Sequence, residues 1–182
     1  FGALAMAGCG SYSKIEGFGF IPVTCFSQAL TTFIGQNLGA KEYDRTKKGA
    51  LFGTICGIGI AEVIGIAVFF FSPYLIAAFG GDQKAIEYGI AEAHTIALFY
   101  CLLAFSHCMA AIQRGAGRSI VPMFVMMIVW CGVRVTYISI VIRIIPVINV
   151  IYWAYPLTWF ISSVIFLILF LKTDWIHGLE KQ

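Results

Sequence analysis

The chain has 182 residues, of which 60% are hydrophobic and only 12% charged, with a mean hydropathy of +0.89. A water-soluble domain needs about a quarter of its residues charged to cover its surface, so this composition excludes an ordinary soluble domain and points to a surface covered by lipid. The formal net charge of +3 is small and gathers in no basic domain, so nucleic acid is not an expected partner.

Crossing the hydrocarbon takes about 20 apolar residues in a helix, and the chain offers five such runs. The first helix is predicted over 4–39, with its cleanest apolar part at 18–38 and a kink at Pro22. The second covers 50–73 and ends at the Ser72-Pro73 break. The third covers 84–113, apolar from about 89 to 112. The fourth covers 119–142 and the fifth 150–171, which holds no charged residue. Strands do not fit, because the runs are long and do not alternate, and a barrel in lipid needs alternating segments of about 10 residues. The predicted fold class is all-α, a polytopic membrane protein. Its five transmembrane helices pack up and down, with short connections at 40–49, 74–88, 113–118 and 143–149. Residue 1 is Phe and no basic-then-apolar leader precedes the first helix, so the chain reads as a piece whose N-terminal part lies upstream. The cysteines, Cys9, Cys25, Cys56, Cys101, Cys108 and Cys131, form no CxxC pair or ligand cluster and read as small core residues.

Positive charge orients the bundle. Cytoplasmic loops carry the Lys/Arg excess, and loop 40–49 holds Lys41, Arg45, Lys47 and Lys48. With that loop inside, alternate crossing also puts Arg114, Arg118, Lys172 and Lys181 inside. Lys14, Lys84 and Arg143 fall outside, and Arg134 lies within the membrane, which accounts for all 12 cations. The C-terminus is therefore expected in the cytoplasm. Topology alone explains the charges of loop 40–49, without a substrate.

A charge in the hydrocarbon costs about 2.5–3.5 kcal/mol on insertion scales, so each embedded one is a functional candidate. Glu62, midway through the second helix, reads either as a site for a proton or Na⁺ or as a structural partner between helices. Arg134, in the outer half of the fourth, reads as a side chain snorkelling to the headgroups, as half of a structural pair (Glu62 is one conceivable partner), or as a substrate contact. Lys14 and Glu16 face a water-filled vestibule if the first helix starts early, and are loop charges if it starts late. Glu92, Glu87 and Asp82 form an acidic rim at the outer mouth of the third helix, read as a mouth that attracts cations or as a solvated loop. His107, deeper in that helix, is a proton relay or a packing residue, while His94 and His177 draw less attention. Gly53, Gly57, Ala61 and Gly65 form a small-residue row suited to close helix packing. Tyr152, Trp153, Tyr155 and Trp159 read as an interfacial belt or as a stacking surface for a substrate. Neither "GQNLGA" nor "RGAGRS" has the lysine-serine pair of a phosphate loop. No Ser-His-Asp order, HExxH or catalytic carboxylate pair is present, so no enzyme is expected.

"FSQALTTFIGQNLGAKEYDRTKKG" resembles the signature of the multidrug and toxic compound extrusion (MATE) transporters, in which a helix ends in GQN-LGA before a basic cytoplasmic loop. "AIQRGAGRSIVP" resembles a second signature, RG-x-G before the next span, and "YWAYPLTWFISS" resembles the last helix. The matching residues are Gln36, Asn37, Gly39, Arg114, Gly115 and Gly117. The resemblance implies a twelve-helix fold of two six-helix lobes, with this chain as helices eight to twelve. It implies an antiporter in the bacterial cytoplasmic membrane exporting small cationic, amphipathic drugs for Na⁺ or H⁺. The coupling ion is then the only cofactor, and the partners are the bilayer and the N-terminal lobe with helix seven. The fragment alone is expected to be inactive. Some branches of the family carry an acid in the middle of helix ten. Here that stretch reads "LFYCLLAFSHCMA", with Ser106 and His107 but no acid. A lipid-linked oligosaccharide flippase of the wider superfamily is the alternative; a cation-rich cavity would favour it, and here the embedded charge is one Arg and one Glu.

Overall fold

The computed structural model describes residues 1–176; His177 and Lys181 lie outside the described residues. Among the described residues the chain is all helical, in the order α1 (Gly2–Gly39), α2 (Tyr43–Ala78), α3 (Gln83–Ile96), a 3₁₀ turn (Ala97–Phe99), α4 (Tyr100–Gly115), α5 (Ile120–Met126), a π-helical stretch (Met127–Val133), α6 (Arg134–Ile144) and α7 (Asn149–Lys172). They make five rods long and apolar enough to cross a membrane: α1, α2, α3 with α4, α5 with α6, and α7. Large apolar side chains such as Phe18, Phe52, Phe70 and Ile128 stand exposed on them. That is the surface expected of a bundle whose solvent is hydrocarbon.

α1 and α2 form an antiparallel hairpin. A Cβ at Gly53 would stand 2.7 Å from Leu30, and one at Gly57 would stand 2.7 Å from the Cys108 sulfur and 3.3 Å from Phe26. The small-residue row thus lets α2 lie against both α1 and α4. The connection is tighter than the predicted loop 40–49. The helices are joined only by residues 40–42, with Lys41 in the left-handed region at φ 59. Arg45, Lys47 and Lys48 sit on the first turns of α2. The apolar scan missed those turns because they are polar, although they are helical.

The second helix also outruns its predicted end at Ser72-Pro73 and continues to Ala78. Proline has no N–H for the carbonyl four residues back, which here is Phe69. That oxygen instead accepts from Ser72 Oγ at 3.2 Å and from His94 Nε2 at 3.1 Å. With its orphan acceptor satisfied, the helix passes through the proline. The third span is likewise not one continuous helix, since the 3₁₀ turn at Ala97–Phe99 interrupts it.

The two signature segments meet at one end of the bundle. A Cβ at Gly115 would stand 2.7 Å from the Thr31 carbonyl and from Ile34, and Thr31 Oγ1 donates to the Ala111 carbonyl at 3.3 Å. Asn37 Nδ2 donates to Phe33 O at 2.7 Å, while the Asn37 carbonyl takes the Glu42 N–H at 2.9 Å. Arg118 Nη2 donates to the Asp174 carbonyl at 2.8 Å, tying the turn after α4 to the end of α7.

Candidate functional site

A cleft of about 290 Å³ opens between α1, α4, the π-helical stretch and α7. α1 contributes Ser13, Glu16 and Phe20, α4 contributes Leu103, and Trp130, Arg134, Tyr155 and Trp159 close the far side. Glu16 is half-buried. It lies one turn beyond Tyr12, on the face α1 turns to its neighbours, because α1 is helical from Gly2 onward.

Arg134 faces Glu16 across the cleft, within electrostatic reach of it. The guanidinium is held from behind. Nη2 donates to Thr158 Oγ1 at 2.7 Å and Nε to the same oxygen at 3.3 Å. Its Cζ lies 4.2 Å from the centroid of Tyr155 and 5.9 Å from that of Trp130. Arg134 therefore does not snorkel to the headgroups, and it does not pair with Glu62. Two aromatic faces and a hydroxyl make a resting place for it inside the lobe.

Below the cleft runs a chain of buried hydroxyls. Trp130 Nε1 donates to Ser162 Oγ at 3.2 Å, Ser162 and Ser163 lie 2.9 and 3.0 Å from Ser106 Oγ, and Ser163 donates to the Leu102 carbonyl at 3.1 Å. His107 packs edge-on against Phe20 and Trp130, with ring centroids at 4.9 and 5.4 Å. Its buried Nε2 has no hydrogen-bond partner.

The other sequence candidates fall elsewhere. Glu62 is half-buried on α2. Its Oε2 accepts the Cys101 N–H at 3.1 Å, just past the 3₁₀ turn. Lys14 is exposed, with its Nζ 5.4 Å from the Phe79 ring centroid. Gln36, Asn37, Gly39, Arg114, Gly115 and Gly117 sit at the helix ends described above. Gln36 is 20 residues beyond Glu16 on one continuous helix, or about 30 Å at 1.5 Å per residue. The aromatic belt is also redrawn. Tyr152 and Trp159 are 0% and 2% exposed, and only Trp153 stands out, at 51%. Glu92 does not belong to an exposed rim, being 4% exposed. Trp130, Thr158 and Ser162 carry no charge, so nothing in a charge scan marks them. Their common signal is a polar atom on an otherwise apolar helix face.

The arrangement offers one ionisable acid, one fixed cation and aromatic walls. Among the described residues no cluster of His, Cys, Asp or Glu is placed to hold a metal ion with three or more ligands.

Residues 1–140 match the sequence model of the MatE family. The probable multidrug resistance protein NorM of Thermotoga maritima is 30% identical over 130 residues, covering 71% of this chain and 28% of NorM. The probable multidrug resistance protein YoeA of Bacillus subtilis is 24% identical over 139 residues, covering 74% of this chain and 29% of YoeA. The matches thus span under a third of the length of these curated relatives. The solved structure of the MATE transporter ClbM in complex with Rb⁺ superposes with a TM-score of 0.86, covering 97% of this chain and 42% of ClbM. At 18% identity that likeness is one of fold.

Proposed function

Because this chain belongs to the MatE family, we propose that it forms helices eight to twelve of an ion-coupled exporter of cationic, amphipathic compounds. The coupling ion is Na⁺ or H⁺, and Glu16 exchanges it in the cleft. The carrying observation is the placement of Glu16 opposite Arg134 in a cleft walled by Trp130, Tyr155 and Trp159. A carboxylate that can be neutralised by a small cation changes the net charge of such a cleft. A cationic drug favours the cleft when Glu16 is free and is repelled when the ion is bound. That difference in affinity between two states is what drives a carrier cycle. Lobes of this kind rock against each other around a central cavity, so the opposing wall and helix seven belong to the rest of the same transporter, in a bacterial cytoplasmic membrane. The turn at 40–42 and the C-terminus face the cytoplasm in this reading.

Vesicles containing the complete transporter test it. An imposed Na⁺ or H⁺ gradient should drive efflux of a cationic dye, and Glu16→Gln should lower the rate at least tenfold. Dye efflux absent under both gradients, or unchanged in Glu16→Gln, overturns the proposal.

A further inference from the structure

Glu92 on α3 is 4% exposed, and its Oε2 has no hydrogen-bond partner. The burial has a cause in the sequence. Gly8 on α1 and Gly89, one turn before Glu92, bring the two backbones into contact. A Cβ at Gly89 would stand 2.8 Å from the Gly8 carbonyl oxygen, and one at Gly8 would run into the Ala85 carbonyl. A carboxylate in such a place, with one oxygen unmatched, is costly to keep. Buried polar groups are nearly always paired, so the free oxygen marks a missing partner.

The groups around it narrow that partner. α1 presents Cys9, Tyr12 and Glu16 to this region, and α7 presents Tyr152 and Tyr155. α2 presents the methyl groups of Ile76 beside Gly89. Its own span adds Tyr100 and the Tyr88 carbonyl, which accepts from the Tyr152 hydroxyl at 3.2 Å. Cys9 Sγ lies 3.8 Å from that hydroxyl and is also within hydrogen-bonding reach of the Glu92 carboxyl, whose Oε2 still has no partner. None of these groups is a Lys or an Arg. The site holds neutral oxygen and sulfur atoms and acids, so among the described residues its negative charge has no resident counter-ion. Its near-complete burial leaves no room for a drug or for a side chain from elsewhere, so a partner for it is a small ion.

Two hydroxyls lie within electrostatic reach of both Glu92 and Glu16. The Tyr12 and Tyr100 hydroxyls are 3.2 Å apart. Tyr12 lies within electrostatic reach of both Glu16 and Glu92, and the two acids feel each other. We propose that Glu92 is a second cation-binding carboxylate, reached from Glu16 past the Tyr12–Tyr100 hydroxyl pair, and that it holds the small monovalent ion, Na⁺ or a proton, behind the cleft. This deepens the antiport reading of Glu16 and rests on it for the identity of the ion. Two acids in electrostatic reach of each other have linked ion occupancies.

Difference infrared spectroscopy on the complete transporter in lipid vesicles reads the carboxyl directly. If the ion is a proton, a pH step at fixed Na⁺ changes a protonated-carboxyl band. If it is Na⁺, a Na⁺ step at fixed pH shifts a carboxylate band. One of these signals should be lost in Glu92→Gln and displaced in Glu92→Asp, with both variants eluting as folded protein. Native bands in Glu92→Gln on both steps overturn the assignment. If that variant does not fold, an undisplaced band in Glu92→Asp overturns it equally. Dye efflux that fails in the native protein while the Glu92 band responds removes the antiport reading and leaves the ion site. Efflux without any Glu92 signal does the reverse.

Discussion

His94 Nε2 donates to the Phe69 carbonyl at 3.1 Å, and Phe69 is the acceptor that Pro73 leaves without its helical N–H. The imidazole also stacks on the Phe69 ring, with centroids 4.4 Å apart. A histidine on one helix thus repairs a gap that a proline makes in another. His94→Ala should cost about 1 kcal/mol, the net worth of one such bond, read as a lower thermal midpoint in detergent. Pro73→Ala restores the N–H, so the same histidine change should cost clearly less in that background. Equal costs in both backgrounds would show that the two positions are uncoupled.

The α1–α3 crossing depends on a missing side chain. Gly8→Val should lower stability by about 1–3 kcal/mol, the usual cost of overpacking, because its Cβ has a backbone carbonyl in its way. Gly10→Val, where nothing lies within 4 Å, is the matched control and should leave the melting curve in place. Comparable losses in both would mean that helix propensity, not the crossing, sets the effect.

Arg134 and Glu16 share the cleft but Arg134 spends its hydrogen bonds on Thr158. Its charge should therefore weaken cation binding at Glu16 without blocking it. Arg134→Gln is expected to tighten the apparent ion affinity about fivefold, or about 1 kcal/mol, in an ion-titrated transport assay. Weaker ion binding in this variant would mean that the arginine holds Glu16 in place.

Sidedness is testable by labelling. In intact cells, an impermeant thiol reagent should reach Lys84→Cys, while Arg45→Cys should react only after the membrane is opened. The opposite pattern would invert the bundle, and with it the side from which the cleft loads.

The apolar helices were legible because apolar runs are local in sequence. The motif glycines were equally plain, since "GQNLGA" and "RGAG" stand at helix ends. The site was less so. Glu16 was identifiable as a candidate, yet its partner across the cleft depends on α5–α6 lying against α7, which no local pattern encodes. Glu92 misled because Asp82, Glu87 and Glu92 look alike in a composition scan. Only the contact of Gly8 with Gly89, residues from different spans, separates the buried acid from the exposed ones. Pro73 misled for the same reason, since the atom that compensates for it belongs to His94, 21 positions further along.

The π-helical stretch Met127–Val133 lies directly before Arg134 in a rod with few buried residues. Such a stretch houses a surplus residue without breaking the coil. Tightening it by that one residue would swing everything beyond it by about 100°. The guanidinium's aim across from Glu16 is thus set by a spring of seven residues, and a slip in that spring would turn the positive wall of the cleft out toward lipid.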